Sequence, residues 1–129
     1  MWALILIPIA VILITFFKNM DTMKEPCKYL YSYEAETVDD TLDHYYLFSV
    51  EKVKNGYLCY IERIPSFRGR STSRYMYHII KEKHTKRYYI CWTGEIRYHE
   101  QAETLCRNWA NATQQFIDTG VPAPGFGGA

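Results

Sequence analysis

Histidines, cysteines, clustered carboxylates and a run of arginines are the side chains of this chain with chemistry to offer. His44, His78, His84 and His99 are scattered, with no cysteine or carboxylate at the spacing that metal ligation requires. Asp39-Asp40-Thr41-Leu42-Asp43-His44 gathers carboxylates beside an imidazole, the pairing used in general acid–base catalysis. It sits in an acidic, weakly patterned stretch, whereas tuning an acid or base needs a rigid, desolvated setting. No nucleophile elbow, phosphate-binding loop or dinucleotide fingerprint occurs. The expectation is therefore a protein that is not an enzyme, with no catalytic residue, metal, cofactor or small-molecule substrate. Cys27, Cys59, Cys91 and Cys106 form no C-x-x-C pair. Cys59 and Cys91 lie in the middle of β-rich runs, Tyr-Leu-Cys-Tyr-Ile and Tyr-Ile-Cys-Trp-Thr, and form the candidate disulfide if the domain is exported.

The remaining chemistry is electrostatic. The formal charge of +1 conceals a division along the chain. From Asp21 to Glu51 there are eight acids against Lys24 and Lys28; from Lys52 to Arg97 there are eleven bases against Glu62, Glu82 and Glu95. A basic stretch attracts phosphate from nucleic acid or anionic lipid, and Arg68-Gly69-Arg70 has the form of a small anion-binding turn. Tyrosine supplies 12 residues and aromatics 16% of the chain, and tyrosine favours half-buried sheets and binding surfaces. The candidate contacts to a phosphate or protein partner are thus Arg63, Arg68, Arg70, Arg74 and Arg87 with Tyr57 and Tyr89.

Those residues need elements to hold them. The runs Tyr45–Val53 and Tyr57–Ile64 alternate as strands around Lys54-Asn55-Gly56, and Asn-Gly supplies the positive φ angles of a type I′ hairpin turn. Tyr75–Lys81 and Arg87–Thr93 read as a third and a fourth strand. After Gly94 the period changes from two to about 3.6. Ala102, Leu105, Cys106, Trp109, Ala110, Thr113, Phe116 and Ile117 form the apolar stripe of a helix that Gly120 and Pro122 end. The expected fold is α+β: an antiparallel four-stranded meander, ββββα, covered on one face by the C-terminal helix. On the second strand Tyr57, Cys59, Ile61 and Arg63 share one face, and on the fourth Arg87, Tyr89, Cys91 and Thr93 do. An open Tyr/Arg face beside an Arg-rich loop suits phosphate contacts and stacking.

In front of this domain, residues 2–17 carry no charge and are apolar on every face. As a helix they extend about 24 Å, nearly a hydrocarbon core. The segment lacks a basic start and a small-x-small cleavage site, so it reads as an uncleaved anchor rather than a signal peptide. Lys18, Lys24 and Lys28 follow it, a bias that places the domain on the cytoplasmic side of a single-pass membrane protein. The expected organisation is an anchor helix over 1–19, an acidic tether over 20–44, the ββββα domain over 45–120 and a disordered tail over 121–129. Met20 and Met23 are alternative starts that would give the same domain without its anchor.

The run Gly56-Tyr57-Leu58-Cys59-Tyr60-Ile61-Glu62-Arg63-Ile64-Pro65-Ser66-Phe67-Arg68-Gly69-Arg70-Ser71 resembles an uncharacterised family of small proteins from anaerobic Gram-positive bacteria and their mobile elements. Tyr89-Ile90-Cys91-Trp92 and Trp109-Ala110-Asn111-Ala112-Thr113-Gln114 resemble it too, so that the likeness covers about residues 42–120. The resemblance implies a bacterial, cytosolic domain and no particular activity. In element order alone the chain is also similar to the arm-binding amino-terminal domains of tyrosine-type integrases, which lay a sheet in the DNA major groove. The leading expectation is a membrane-anchored, non-enzymatic interaction module with an unknown protein partner. The alternatives are a nucleic-acid-binding protein of a mobile element, or an exported domain with one disulfide.

Overall fold

The computed structural model describes residues 25–73 and 78–123. It is α+β, one antiparallel sheet with a long C-terminal helix. The strands are β1 (Lys28–Glu34), β2 (Tyr45–Val53), β3 (Gly56–Arg63), β4 (Ile79–Lys81) and β5 (Tyr88–Ile90), followed by α1 (His99–Thr119). In the sheet they run β1-β2-β3-β5-β4, so the expected four-stranded meander is corrected in two ways. A fifth strand, β1, lies in the segment expected to be a tether, and β5 rather than β4 lies beside β3.

The reason for β1 is its alternation, Lys-Tyr-Leu-Tyr-Ser-Tyr-Glu, which pairs with β2 over its whole length without a register shift. Tyr29, Tyr31 and Tyr33 turn toward α1. Their hydroxyls meet Glu103 (2.6 Å), Arg107 (3.0 Å) and Asn111 (3.0 Å), three helix residues spaced four apart. Two residues of strand advance about 6.8 Å and four of helix about 6.0 Å, so the two ladders stay in step. Tyrosine suits these positions because its ring covers the core while its hydroxyl reaches the polar flank of the helix.

β2 and β3 form the hairpin expected, and Val53 pairs with Gly56 around the two-residue turn Lys54-Asn55. The turn differs from the expected type I′. Asn55 does not have positive φ, and Gly56, at φ 144°, is the first residue of β3. A Cβ on Gly56 would lie 2.1 Å from the carbonyl oxygen of Ile96, the same oxygen that accepts from the Tyr57 N–H at 2.9 Å. The glycine is thus needed where residue 96 crosses the start of β3. This crossing also accounts for the short β5: Trp92 and Thr93, expected in the strand, leave the sheet on the way to Ile96.

The third expected strand is seen as Ile79–Lys81, with Tyr75–Tyr77 outside the described residues. The connection before it anchors on the end of α1, where Phe67 packs on Phe116 (6.4 Å between rings) and joins Ile117 and Ile64 in a small second cluster.

α1 buries the expected stripe, with Leu105 alone half-buried among those residues. Trp109 meets both Tyr46 and Phe48 edge-on at 6.1 Å, and these rings with Val50, Cys59 and Cys106 form the main core. Gln101 accepts from the Arg97 and Tyr98 N–H groups at the start of the helix. Gly120, left-handed at φ 76°, closes its end by donating to the Phe116 carbonyl at 2.7 Å. Among the described residues no helix is long and apolar enough to cross a membrane. The hydrophobic segment over 2–17 lies outside them, as does most of the expected tail; within the tail's described part Ala123 is buried.

Candidate interaction surface

α1 covers one face of the sheet, and the other face holds the charges. On that open face Arg87 stacks 3.7 Å above the Tyr60 ring and bonds Glu51 at 2.5 Å and Glu62 at 2.8 Å. The Glu51 carboxylate also accepts from Ser49 at 2.8 Å and lies 3.8 Å from Lys28. The arginine hydrogen bonds outweigh desolvation and hold Glu51 below the usual carboxylate range, and the same contacts raise Arg87 further. Tyr60 donates to Glu82; burial first, then this bond, pushes its hydroxyl up to about 12. Tyr89 packs edge-on against Tyr60 at 5.7 Å and is half-buried. Arg63, released to this face by the bulge opposite Leu47 and Phe48, pairs with Asp43 at 2.5 Å and stacks on Tyr45. Among the described residues the cations Arg63 and Arg87 of this face are thus paired with Asp43, Glu51 and Glu62, with Lys28 at the margin 3.8 Å from Glu51. That part of the face is a neutralised polar lattice, not a basic field.

The other candidates are placed elsewhere. Tyr57 points under α1, is 4% exposed, and donates to the Pro26 carbonyl at 2.7 Å. Arg68 bonds Asp118 at 2.6 Å, and Arg70 donates to the Ile117 carbonyl at 3.4 Å. α1 has no basic residue in its last turn, so these two loop arginines supply the positive charge that a helix C-terminus favours. Burial alone would raise Asp118. Hydrogen bonds from Thr37, Gln114, the Val38 amide and Arg68 outweigh it and hold the carboxyl below its ordinary value. Asp118 therefore gathers the loop after β1, the arginine loop and the helix end. Sequence reasoning missed it because its partners outside the helix, Thr37 and Val38 on one side and Arg68 on the other, come from two distant segments. Arg74 lies outside the described residues.

Cys59 and Cys91 are both free thiols on different surroundings: Cys59 is buried against the Ala102 carbonyl at 3.4 Å, and Cys91 is exposed. The thiol beside Cys59 is that of Cys106, which its hydrogen bond to Cys59 and its burial push well up. Trp92 is 58% exposed beside a cleft of about 430 Å³ that Ile80, Leu58 and Val53 also line.

One grouping among the described residues has metal-ligand atoms within 4.8 Å of one another, Glu25, His99 and Glu100. Both imidazole nitrogens already face carboxylates, and the Glu25 carboxylate also accepts the His99 backbone N–H at 3.0 Å. This is the positive end of α1, which favours the anion and not a cation. Glu25 caps the helix and holds the segment before β1 against it. The Glu25 hydrogen bond, helped by the charges of Glu100 and Glu103 against desolvation, raises His99; the contacts from the His99 backbone and then its ring lower Glu25. A raised histidine contributes fully below its unfolded value and loses the contribution as pH rises through its folded value; a lowered glutamate does so fully above its own unfolded value. Both halves act fully between about pH 4.5 and 6.5. His99 is expected to titrate above about 6.5 by NMR and to fall back toward it in Glu25→Gln. An unchanged His99 titration in that variant would remove the contact.

A scan against protein-family models finds no match, and neither the curated proteins nor the solved structures show significant similarity to the chain.

Proposed function

We propose that the chain is a non-enzymatic interaction module held at the cytoplasmic surface of a membrane by residues 2–17, with another protein as its partner. The observation that supports a protein partner over a phosphate-bearing one is the pairing of Arg63, Arg68 and Arg87 with carboxylates. Binding a nucleic acid through these residues would first break those pairs, and each broken pair leaves a carboxylate to repel the phosphate. Available without that loss are exposed apolar side chains such as Leu30, Ile80 and Trp92 and the outer backbone edge of β1.

Flotation of the full chain with neutral-lipid liposomes and labelled single- and double-stranded oligonucleotides tests both parts. The chain is expected to rise with the liposomes and the oligonucleotides to stay below at about 0.15 M salt. A chain that stays below with the liposomes risen sinks the anchor. Oligonucleotide rising with the chain, with a log–log salt dependence near about −4, would establish instead a nucleic-acid-binding protein engaging about four phosphates.

A further inference from the structure

Edge strands usually carry a device that stops them pairing with another chain: a proline, a bulge, short length or charge, lysine above all. β1 is seven residues long, keeps a regular register with β2, and contains no proline. It carries charge only at its two ends, Lys28 and Glu34, where opposite signs repel a like end and not a strand of reversed direction. The Cys27 carbonyl accepts from the Lys52 N–H at 2.7 Å, and the Ala35 N–H donates to the His44 carbonyl at 2.9 Å. Odd-numbered residues of β1 therefore turn their backbone groups toward β2. By alternation Lys28, Leu30, Ser32 and Glu34 turn theirs outward. All four are exposed, and among the described residues no strand lies beyond them.

The charges on this edge have a symmetry of their own. Lys28 and Glu34 stand at its two ends, equally far from Tyr31, and share the open face with Leu30 and Ser32. Lys28 has only a long 3.8 Å contact with Glu51 and is two-thirds exposed; Glu34 makes no ion pair among the described residues. We infer that β1 pairs antiparallel with β1 of a second copy of this chain, Tyr31 opposite Tyr31, so that Lys28 of each copy faces Glu34 of the other. In this register the outward groups of Leu30 and Ser32, and of Lys28 and Glu34, exchange bonds across a twofold axis, about eight backbone hydrogen bonds in all. Directly opposed residues share a face, so both ion pairs form on the open side and the two Leu30 side chains become diagonal neighbours. Shifting the register by two residues shortens the overlap and separates the charges. The result is one sheet twice as wide, with both helices on the same side.

This inference rests on the reading of an interaction module and names its partner. A contact confined to one edge is small, and tethering both copies to one membrane raises their effective concentration. The test uses charge reversal in the full chain, in neutral detergent, by sedimentation over a range of concentrations. Lys28→Glu sets glutamate against glutamate at both ends, and Glu34→Lys sets lysine against lysine. Each variant alone is expected to self-associate roughly tenfold more weakly than the unmodified chain. Mixed together they are expected to form a heterodimer, and the double variant Lys28→Glu/Glu34→Lys to recover self-association within about threefold. Complementation on mixing excludes misfolding as the cause of the single-variant losses. If the two single variants stay apart when mixed, or each self-associates as the unmodified chain does, the pairing is overturned. The flotation result decides the interaction-module reading separately.

Discussion

Replacing Trp109 with alanine is expected to lower the stability of the domain by about 3–5 kcal/mol, enough to leave much of it unfolded at 37 °C. The indole is 2% exposed and stands edge-on to both Tyr46 and Phe48, joining α1 to the middle of β2. Truncation removes its own transfer free energy and leaves a cavity that two rigid rings cannot collapse into. Beneath the same helix Tyr46 donates to Gln114 at 3.0 Å, a buried hydrogen bond that needs α1 in place and would be exposed to water by its loosening. Trp109→Phe keeps an aromatic ring and gives up an indole N–H that has no hydrogen-bond partner among the described residues. It is expected to cost about half as much. Urea titration followed by far-ultraviolet circular dichroism measures both variants. A loss below about 1 kcal/mol for the alanine variant would mean that the stripe of α1 does not pack on β2 as described.

Gly56→Ala is expected to cost about 2–4 kcal/mol although it adds a single methyl group at the edge of a turn. A φ of 144° strains any L-residue, and the new Cβ would lie 2.1 Å from a backbone oxygen, which cannot rotate away as a side chain would. Relief requires the strand of chain ending at Ile96 to move, breaking the hydrogen bond from Tyr57 to Ile96. Hydrogen exchange should therefore accelerate at the Tyr57 amide more than at amides between β1 and β2. A variant as stable as the parent would show that the crossing at residue 96 is not held. Gly69→Ala carries only the conformational part of the cost, about 1–2 kcal/mol, because that glycine also has positive φ but nothing lies within 4 Å of a Cβ there.

What the amino-acid sequence determined by itself was whatever depends on neighbours within a turn or two. The 3.6-residue recurrence from Ala102 to Ile117 and the left-handed stop at Gly120 are local, and α1 follows them. The same holds for β2 and β3, whose alternation around a short turn specifies a hairpin whatever lies on either side. β1 had its alternation in plain view, but the surrounding acids pointed to a solvated tether. Besides its ladder with β2, it is held by hydroxyl partners on Glu103, Arg107 and Asn111, more than seventy positions away.

The tertiary structure decided the rest, above all what the charges do. Arg63, Arg68 and Arg87 look in sequence like a basic stretch, because their carboxylates sit in distant segments: Asp43, Asp118 and Glu51. Charge along a chain is a sum over local composition, whereas the field at a surface depends on which side chains meet within a few ångströms. The order β3-β5-β4 was equally hidden, since strand pairing is set by where the intervening chain can pack, here through Phe67 on Phe116. Gly56 joins both accounts: the sequence marked the position as a turn glycine, and the fold made it the point where another segment's carbonyl crosses.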